Sequence, residues 1–420
     1  MARSLNLIEK LHRKLSLDEA TVLRAVVAQA EQQAIEIYAV GGTARDLLLE
    51  VEALDLDIAV EGDAIALAHG VAELCGARVV KATRFGTATL KLGQASVDVA
   101  TTRRETYARG GALPDTDSGA IEDDLLRRDF TINAVAVRLG GAAAGQVLDP
   151  AGGRTSLRDG VIRVLHDGSL RDDPTRMIRA VRYEQRLGFA IHTETEALIG
   201  RDLHTLDSVS GTRIRQEIER TMREDRREAM LLRMDGLGIL PAIHPALRFG
   251  VDQAAALRRL RGSPYDSMLS RWAIVSWTTP EEQVDSLCAR LAPSGRLRDV
   301  LRSLPVARAA AREIDGRSLP SEVAARLRAL PVPSVAALAC AANEPPARER
   351  ANEFLDHTRY VRPSLTGDDL IAIGVKQGPE VGMVLSRLRD ARIDGRAASR
   401  DDELAIVKRE VSERNVPVVT

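Results

Sequence analysis

Two short stretches near the start of the chain carry residue types that could do phosphate chemistry. The first is Val40-Gly41-Gly42-Thr43-Ala44-Arg45-Asp46, and Asp55-Leu56-Asp57-Ile58-Ala59-Val60 follows it closely. An apolar run, Ile37 to Val40, predicts a strand that ends on two glycines, and a helical pattern begins at Thr43. Glycines at a strand-to-helix turn let backbone amides come close to a phosphate, and the helix start adds a favourable field for anions. Gly42 is a candidate amide donor, and Arg45 falls on the first turn, where a guanidinium can reach the same anion. In the second stretch Asp55 and Asp57 are two apart, so on a strand they project together. Paired carboxylates are costly unless a cation sits between them, and Mg²⁺ prefers carboxylates plus substrate phosphates.

A third carboxylate is predicted further on. Thr87 to Leu92 and Ser96 to Ala100 flank Gly93-Gln94, a hairpin signal. Val97 and Val99 would face a core, leaving Asp98 on the opposite face. If these strands share a sheet with 55–60, Asp98 completes a two-metal set with Asp55 and Asp57.

The elements that must hold these residues change character along the chain. Two helices are predicted over residues 5–33, a helix over 63–75 and a strand over 78–80. Residues 103–120 are broken by Gly, Pro and Asp, and read as a long loop inside a domain. Strands outnumber helices before about residue 150 and nearly vanish after about 170. The expected fold class is α+β: a head with a mixed sheet, then a long all-helical remainder. Helices are expected at 252–261, 266–277, 281–291, 295–313, 320–329 and 334–342, and Asn343 to Arg350 reads as a linker. Gly367 to Gly382 reads as a glycine-flanked turn between helices, either an ordinary connection or one that offers amides to a phosphodiester.

The most informative helix is predicted over 173–187. Asp172-Asp173-Pro174 forms its start, and Asp173, Arg176, Arg179 and Arg182 recur every third residue along one face. A solvated charged face is the plain reading. Three arginines to one acid are not self-neutralised, however, and suit a polyanion or the edge of a base.

Bulk properties bound the rest. The 420 residues exceed what one core holds, and 45% hydrophobic with 28% charged residues fits a soluble protein of two to four domains. A net charge of −1 means that any nucleic acid must be met by local arginine patches. Cys75, Cys288 and Cys340 are far apart and read as reduced core residues, with no disulfide-linked partner. The first 17 residues lack the apolar core of a signal peptide, and no run reaches membrane-spanning length, so a cytoplasmic location is expected.

Taken in order, Gly41-Gly42-x-x-Arg45-Asp46, Asp55-x-Asp57, Arg127-Arg128-Asp129-Phe130-Thr131-Ile132-Asn133-Ala134, Asp149-Pro150-x-Gly152-Gly153 and the row from Asp173 to Arg182 resemble class II tRNA nucleotidyltransferases. That family includes CCA-adding enzymes and bacterial poly(A) polymerases. The match covers roughly residues 36–225, and Gly367 to Gly382 looks like the tail of some members.

The resemblance implies a polymerase-β-type head at 1–160, a helical neck at 161–235, a body at 236–345 and a tRNA-holding tail at 346–420. Asp55, Asp57 and Asp98 would bind catalytic Mg²⁺, and Gly42 and Arg45 the triphosphate. Arg128 and Asp129 would meet the nucleotide near its ribose. Asp173 and Arg176 would read the edge of the incoming base, and Arg179 and Arg182 would complete the pocket. The implied reaction adds CCA to tRNA from CTP and ATP. Rival readings are an A-adding-only enzyme, a poly(A) polymerase and, outside the enzymes, a silent RNA-binding protein. The 103–120 segment fills the place of the loop used in switching from C to A, which argues against CC addition alone. No His-Asp phosphohydrolase pairing is visible. Two departures stand out: Asp172 where Glu is usual, and Glu50 where glycine is common.

Overall fold

A computed structural model describes residues 6–51, 55–83, 85–106 and 115–414. The chain divides into two compact units, Met1–Arg226 with Gly236–Ala242, and Arg227–Asp235 with Ile243–Thr420.

The first unit opens with α1 (Leu7–Lys14) and α2 (Leu17–Gln32). Ser16 and Glu19 close a reciprocal capping box on α2, which satisfies amides that the helix start would leave open. Then come β1 (Ile37–Val40), α3 (Gly42–Leu48), β2 (Leu56–Val60), α4 (Ala64–Cys75), β3 (Arg78–Thr83), β4 (Thr87–Leu92) and β5 (Ala95–Thr101). With β8 (Ala136–Arg138) and β9 (Val147–Leu148) these strands form one seven-stranded sheet in the order β3-β4-β5-β2-β1-β8-β9. The β2–β5 pair is parallel and the other pairs are antiparallel. The expected mixed sheet is therefore present, and the chain reaches β5 from β2 through α4 and the β3–β4 hairpin.

The strand alternation sorts the two faces. Leu56, Ile58, Val60, Val97 and Val99 join Val22, Leu23 and Val26 of α2 and Leu67 and Val71 of α4 in the main core. On the other face Tyr38, Val40, Ala59 and Ala136 pack against Ile121 and Leu125. Asp57 and Asp98 fall on this second face, because their neighbours along the strand are committed to the first.

Residues 103–120 depart from the expected irregular loop. β6 (Arg103–Thr106) and β7 (Asp115–Ser118) pair antiparallel, with Arg103 opposite Ser118. Thr102 sets the base of this ribbon: its hydroxyl donates to the Gly119 carbonyl at 2.7 Å, and its own carbonyl accepts from the Gly119 amide. Backbone pairing between two polar ends has no apolar alternation to reveal it. Residues 107–114, the centre of the expected loop, lie outside the described residues.

The first unit continues through α5 (Ile121–Leu126), a 3₁₀ turn (Thr131–Asn133), α6 (Gly153–Asp159), β10 (Val161–Ile162), α7 (Ser169–Asp172), α8 (Thr175–Leu187), β11 (Ala190–Ile191), α9 (Thr193–Asp202) and α10 (Gly211–Arg223). β10 and β11 form a two-stranded parallel pair. Asp173 caps α8 by accepting from the Thr175 amide and hydroxyl, and Gly188, at φ +68°, ends it. The Asp149-Pro150-x-Gly152-Gly153 motif is a brace. Asp149 accepts from the Gly153 and Arg154 amides, and a Cβ on Gly153 would stand 2.2 Å from the Thr131 carbonyl oxygen. The motif thus presses α6 onto the 131–133 turn.

α11 (Arg227–Gly236) opens the second unit, and α12 (Ile239–Ile243) belongs almost wholly to the first. The second unit is helical, with α13 (Val251–Leu260), α14 (Met268–Val275), α15 (Val284–Leu291), α16 (Gly295–Glu313), α17 (Pro320–Arg328) and α18 (Val332–Ala341) after α11. The segment expected as a linker, 343–350, instead begins α19 (Pro345–Asp356). Its two prolines occupy the first turn, where a missing N–H costs nothing, and Ala347, Ala351, Phe354 and Leu355 bury one face. α20 (Gly367–Ala372), α21 (Pro379–Ile393) and α22 (Arg400–Arg414) close the chain around Leu365, Leu370, Val384, Leu388 and Val407. Cys75, Cys288 and Cys340 are free thiols. Among the described residues no helix is long and apolar enough to cross a membrane.

Candidate active site

The turn between β1 and α3 is built around Gly41. Its φ of +60° and ψ of −120° belong to a backbone region that only glycine enters readily, and a Cβ there would stand 2.4 Å from Arg128 Nη1. Arg128 therefore lies directly over the glycine turn, held by Asp124 at 2.9 Å, and its Nε is buried without a partner. Gly42 begins α3 and has no such constraint.

Thr43, read from the sequence only as the start of a helix, joins this turn to β2. Its hydroxyl donates to the Asp55 carbonyl at 2.5 Å and accepts from the Asp57 amide at 2.8 Å. The Asp-x-Asp stretch is thereby pinned to the first turn of α3. Within the sheet Asp57 is the register partner of Asp98 on β5, and Asp98 pairs across to Thr89, whose hydroxyl donates to it at 2.6 Å. Asp55 precedes β2 and is exposed, as is Asp98, while Asp57 is half-buried. Burial, then Asp98, pushes the Asp57 carboxyl up to about 6; Asp55 adds to this, while Arg128 and Arg45 oppose it. Among the described residues no three His, Cys, Asp or Glu side chains are gathered tightly enough to hold a metal by themselves. The donor chemistry nonetheless fits a hard divalent cation. Crowded carboxylates supply oxygen and negative charge, and Mg²⁺ takes one or two of them with its remaining positions on phosphate and water.

Arg45 is buried and fully engaged. Its Nε and Nη2 donate to Asp46, its Nη1 donates to Asn133 Oδ1 at 2.9 Å, and its guanidinium lies 5.4 Å from the Tyr183 ring centre. Asn133 in turn donates from Nδ2 to Asp129 Oδ1 at 2.9 Å. Asp129 also receives Nε and Nη2 of Arg179 on its Oδ2. One amide side chain thus links the phosphate-turn arginine to the α8 arginine row. Burial pushes the Asp129 carboxyl up, but Arg179 and Asn133 outweigh it and hold it below its ordinary value. Coulombic attraction to the Asp129 carboxylate raises Arg179 further above its already high value.

The rest of the row is less solvated than a charged face would be. Arg176 is buried and donates to the Arg127 carbonyl at 2.9 Å. Arg182 is buried against Glu217 at 2.8 Å. Asp173 pairs with Arg213 of α10 at 2.9 Å. The lone acid of the row thus finds its partner on another helix.

These groups surround a cavity of about 710 Å³, lined by Gly41, Gly42 and Asp57 at one side, Arg127, Arg128, Asp129 and Asn133 in the middle, and Asp173, Arg176, Arg179, Tyr183, Arg213, Glu217 and Arg220 along the helices. Of the residues singled out from sequence, Gly42, Asp57, Arg128, Asp129, Asp173, Arg176 and Arg179 line it. Asp55, Asp98, Arg45 and Arg182 do not line it, and the last two act by holding Asn133 and Glu217. Thr43, Asn133, Tyr183 and Arg213 were missed. The signal for the first two was adjacency, since each sits inside a motif already singled out. Tyr183 follows directly on the arginine row and meets Arg45 and Arg179 through its ring. A cavity with this many guanidinium groups and a glycine turn, with the Asp57 carboxylate at one side, offers charge complementary to a polyphosphate and its cation.

Comparison with known proteins agrees with this geometry. Residues 37–163 match the poly A polymerase head domain, and residues 188–249 match the probable RNA- and SrmB-binding site of polymerase A. The chain is 34% identical to an A-adding tRNA nucleotidyltransferase of Geobacter sulfurreducens over 97% of its own length, and spans 49% of that relative. It is 31% identical to a CC-adding tRNA nucleotidyltransferase of Deinococcus radiodurans, covering 88% of this chain and 87% of the relative. The structure of a Thermotoga maritima CCA-adding enzyme complexed with tRNA superposes with a TM-score of 0.78 at 26% identity, over 97% of this chain and 99% of the other. With motifs, sheet and near-full-length relatives in agreement, the chain belongs to the tRNA nucleotidyltransferase family built on the poly A polymerase head.

Proposed function

We propose that this chain transfers an adenylyl group from ATP to the 3′ end of a tRNA that already ends in CC. The observation that carries the reading is that Asp57, paired in register with Asp98, lines a cavity that runs from the Gly41 turn to the α8 arginines. Choice of A as the nucleotide is supported by the longer and closer likeness to the A-adding relative, 34% over 97% of the chain against 31% over 88% for the CC-adding one.

In this reading Asp55, Asp57 and Asp98 would hold a divalent cation, Mg²⁺ by the chemistry of an all-oxygen set, which supplies Lewis-acid stabilisation of the transferred phosphoryl. The amides at Gly41 and Gly42 and the Arg128 guanidinium receive the triphosphate. Arg45, held by Asp46 and Asn133, sets the positive potential beneath them. Asp173 and Arg176 present a paired acceptor and donor to the base edge, with Arg213 fixing Asp173 from behind. Asp129 is kept ionised by Arg179 and lies between the phosphate and base ends. Positioning of this kind is most of what phosphoryl transfer asks of a protein. Residues 161–235 would select the nucleotide, and the body at 236–345 and tail at 346–420 would hold the tRNA.

A second reading, addition of all three nucleotides C, C and A from CTP and ATP, is favoured by the end-to-end likeness to the Thermotoga CCA-adding enzyme. The test uses purified protein, Mg²⁺ and tRNA transcripts ending at the discriminator base, at C and at CC, each offered CTP, ATP or both. Addition of one A to the CC end alone supports the first reading, and three ordered additions support the second. Long A tails on any RNA, or no addition at all, would overturn both.

A further inference from the structure

We propose that Asp124 is a positioning residue that sets the preference for adenine over cytosine, by fixing the Arg127 carbonyl against which Arg176 is braced. The inference deepens the reading that the chain adds a nucleotide to a tRNA end, and rests on it. Asp124 lies in α5 and is 2% exposed. Its two oxygens have different partners. Oδ1 accepts from Arg127 Nε at 3.0 Å and Nη2 at 2.5 Å, and Oδ2 accepts from Arg128 Nη2 at 2.9 Å. Burial pushes the carboxyl up, but Arg128 and Arg127 outweigh it and hold it below its ordinary value. One buried carboxylate thus grips the two residues at which the chain leaves the helix.

The grip reaches both ends of the nucleotide site. Through Oδ2 it holds Arg128 over the Gly41 turn. Through Oδ1 it fixes the chain at Arg127, the C-cap of α5, whose carbonyl is one that a helix end leaves without an intrahelical partner. That carbonyl accepts from Arg176 Nη2 at 2.9 Å. Nη2 belongs to both two-point edges of a guanidinium, so the bond takes a proton from one edge and fixes the plane of the group. Asp173 is fixed as well, since its Oδ1 accepts from the Thr175 amide and hydroxyl and from Arg213 Nη2. A second cavity, of about 240 Å³, also touches Arg127 and Arg176, with Leu126, His166 and Asp172 in its wall. Space for another rotamer therefore adjoins Arg176, and the bond to the carbonyl holds it out of that space.

A fixed acid and a fixed arginine suit one base. Adenine and cytosine each show an amino donor beside a ring-nitrogen acceptor, which Asp173 and Arg176 can meet in turn. Cytosine adds a carbonyl acceptor that asks the arginine for a second donor. Its single ring also carries the edge closer to the ribose than the two rings of adenine do. With the triphosphate end held by Arg128 and the base end by a tethered Arg176, the distance between the two is set once, and the shorter base cannot satisfy both. An untethered Arg176 could follow either edge.

The experiment uses the full-length protein, Asp124→Asn, Arg176→Lys and the double variant. Kd for ATP and for CTP is measured by calorimetry, and kcat and KM for each nucleotide are measured with Mg²⁺ on a tRNA ending in CC. Asp124→Asn is expected to raise KM for ATP through Arg128. It should also cut the preference for ATP over CTP by roughly ten-fold, the scale of one misfitted contact in a binding pocket. In the Arg176→Lys background the same substitution should still raise KM for ATP but leave the preference unmoved, because its route to the base is gone. A preference unchanged by Asp124→Asn, or changed equally in both backgrounds, would overturn the inference and leave Asp124 a brace of α5 alone. Should Asp124→Asn fail to fold in a thermal scan, Asp124→Glu, which keeps the charge and shifts it by one methylene, carries the same cycle with a smaller expected change. If the wild type also adds C to shorter ends, the A-only reading falls, while the preference at the CC end still decides this inference. If the wild type adds nothing, the proposed function falls, and the ratio of the two Kd values decides instead.

Discussion

Arg179 grips Asp129 through two hydrogen bonds to a single carboxylate oxygen, across fifty residues of chain. Asp129 is nearly sequestered from solvent, so the pair follows the logic of a buried ion pair, in which removing one partner strands the other. Arg179→Met should destabilise the first unit by about 3–5 kcal/mol. The wild-type Asp129 carboxyl titrates below its ordinary value. Its contribution is therefore present above the unfolded pKa, about 3.9, and lost as pH falls through the folded value. The gap between wild type and variant should narrow as pH falls through the carboxylate range. Urea unfolding at a series of pH values checks this, and a gap independent of pH would refute it.

Asp57→Asn should separate activity from stability. Under the proposed function, nucleotide addition should fall by a hundred-fold or more, roughly the loss seen when one charge-stabilising group is removed from an active site. Without metal, however, the neutral amide removes a carboxylate crowded by burial and by Asp98. The melting temperature of the metal-free protein should rise by about 2–4 °C, the shift made by about 1 kcal/mol in a domain of this size. Single-turnover addition and a thermal scan in chelator read the two effects.

Thr43→Val keeps the shape of the side chain and removes the clamp between α3 and β2. The Asp57 amide would lose its acceptor, at a cost of about 1–3 kcal/mol. A mispositioned Asp57 should lower kcat more than it raises KM for ATP. Thr43→Ser, which keeps the hydroxyl, should stay near wild type in both.

Glu50→Gly tests the turn after α3. Glu50 adopts φ +59°, a left-handed backbone that disfavours side chains, and its carboxylate pairs with Lys10 on the surface. Glycine enters that conformation freely, and an exposed ion pair contributes little. A rise in melting temperature of about 2 °C is expected. A fall would mean that the Lys10 contact outweighs the backbone strain.

How much of this was legible beforehand depended on the range of each signal. Asp98 was placed correctly because valines on either side commit the strand to one face, a local pattern. The arginine row was legible as a face, but its burial was not. The groups that bury it, Asp129, Glu217 and the Arg127 carbonyl, come from other elements. Asn133 was quoted inside a motif yet had no assigned role, since linking Arg45 to Asp129 is visible only once 88 residues of separation have been folded away. The misread linker at 343–350 has a simpler cause. Pro345 and Pro346 occupy the first turn of a helix, a position proline suits, so the start of α19 carries no ordinary helical signal. The antiparallel ribbon at 103–106 and 115–118 rests on backbone bonds alone, which leave no mark in side-chain type.

The parallel seam between β2 and β5 makes the Asp57–Asp98 pair a reporter of correct folding. A slip of β5 by one residue would turn Asp98 into the apolar layer under α2 and α4 and bring Val97 and Val99 out beside Asp57. The same error that ruins the core would dismantle the carboxylate pair. Under the role proposed for this pair, misassembled chains would contain no weakly active species, and specific activity would count correctly folded molecules.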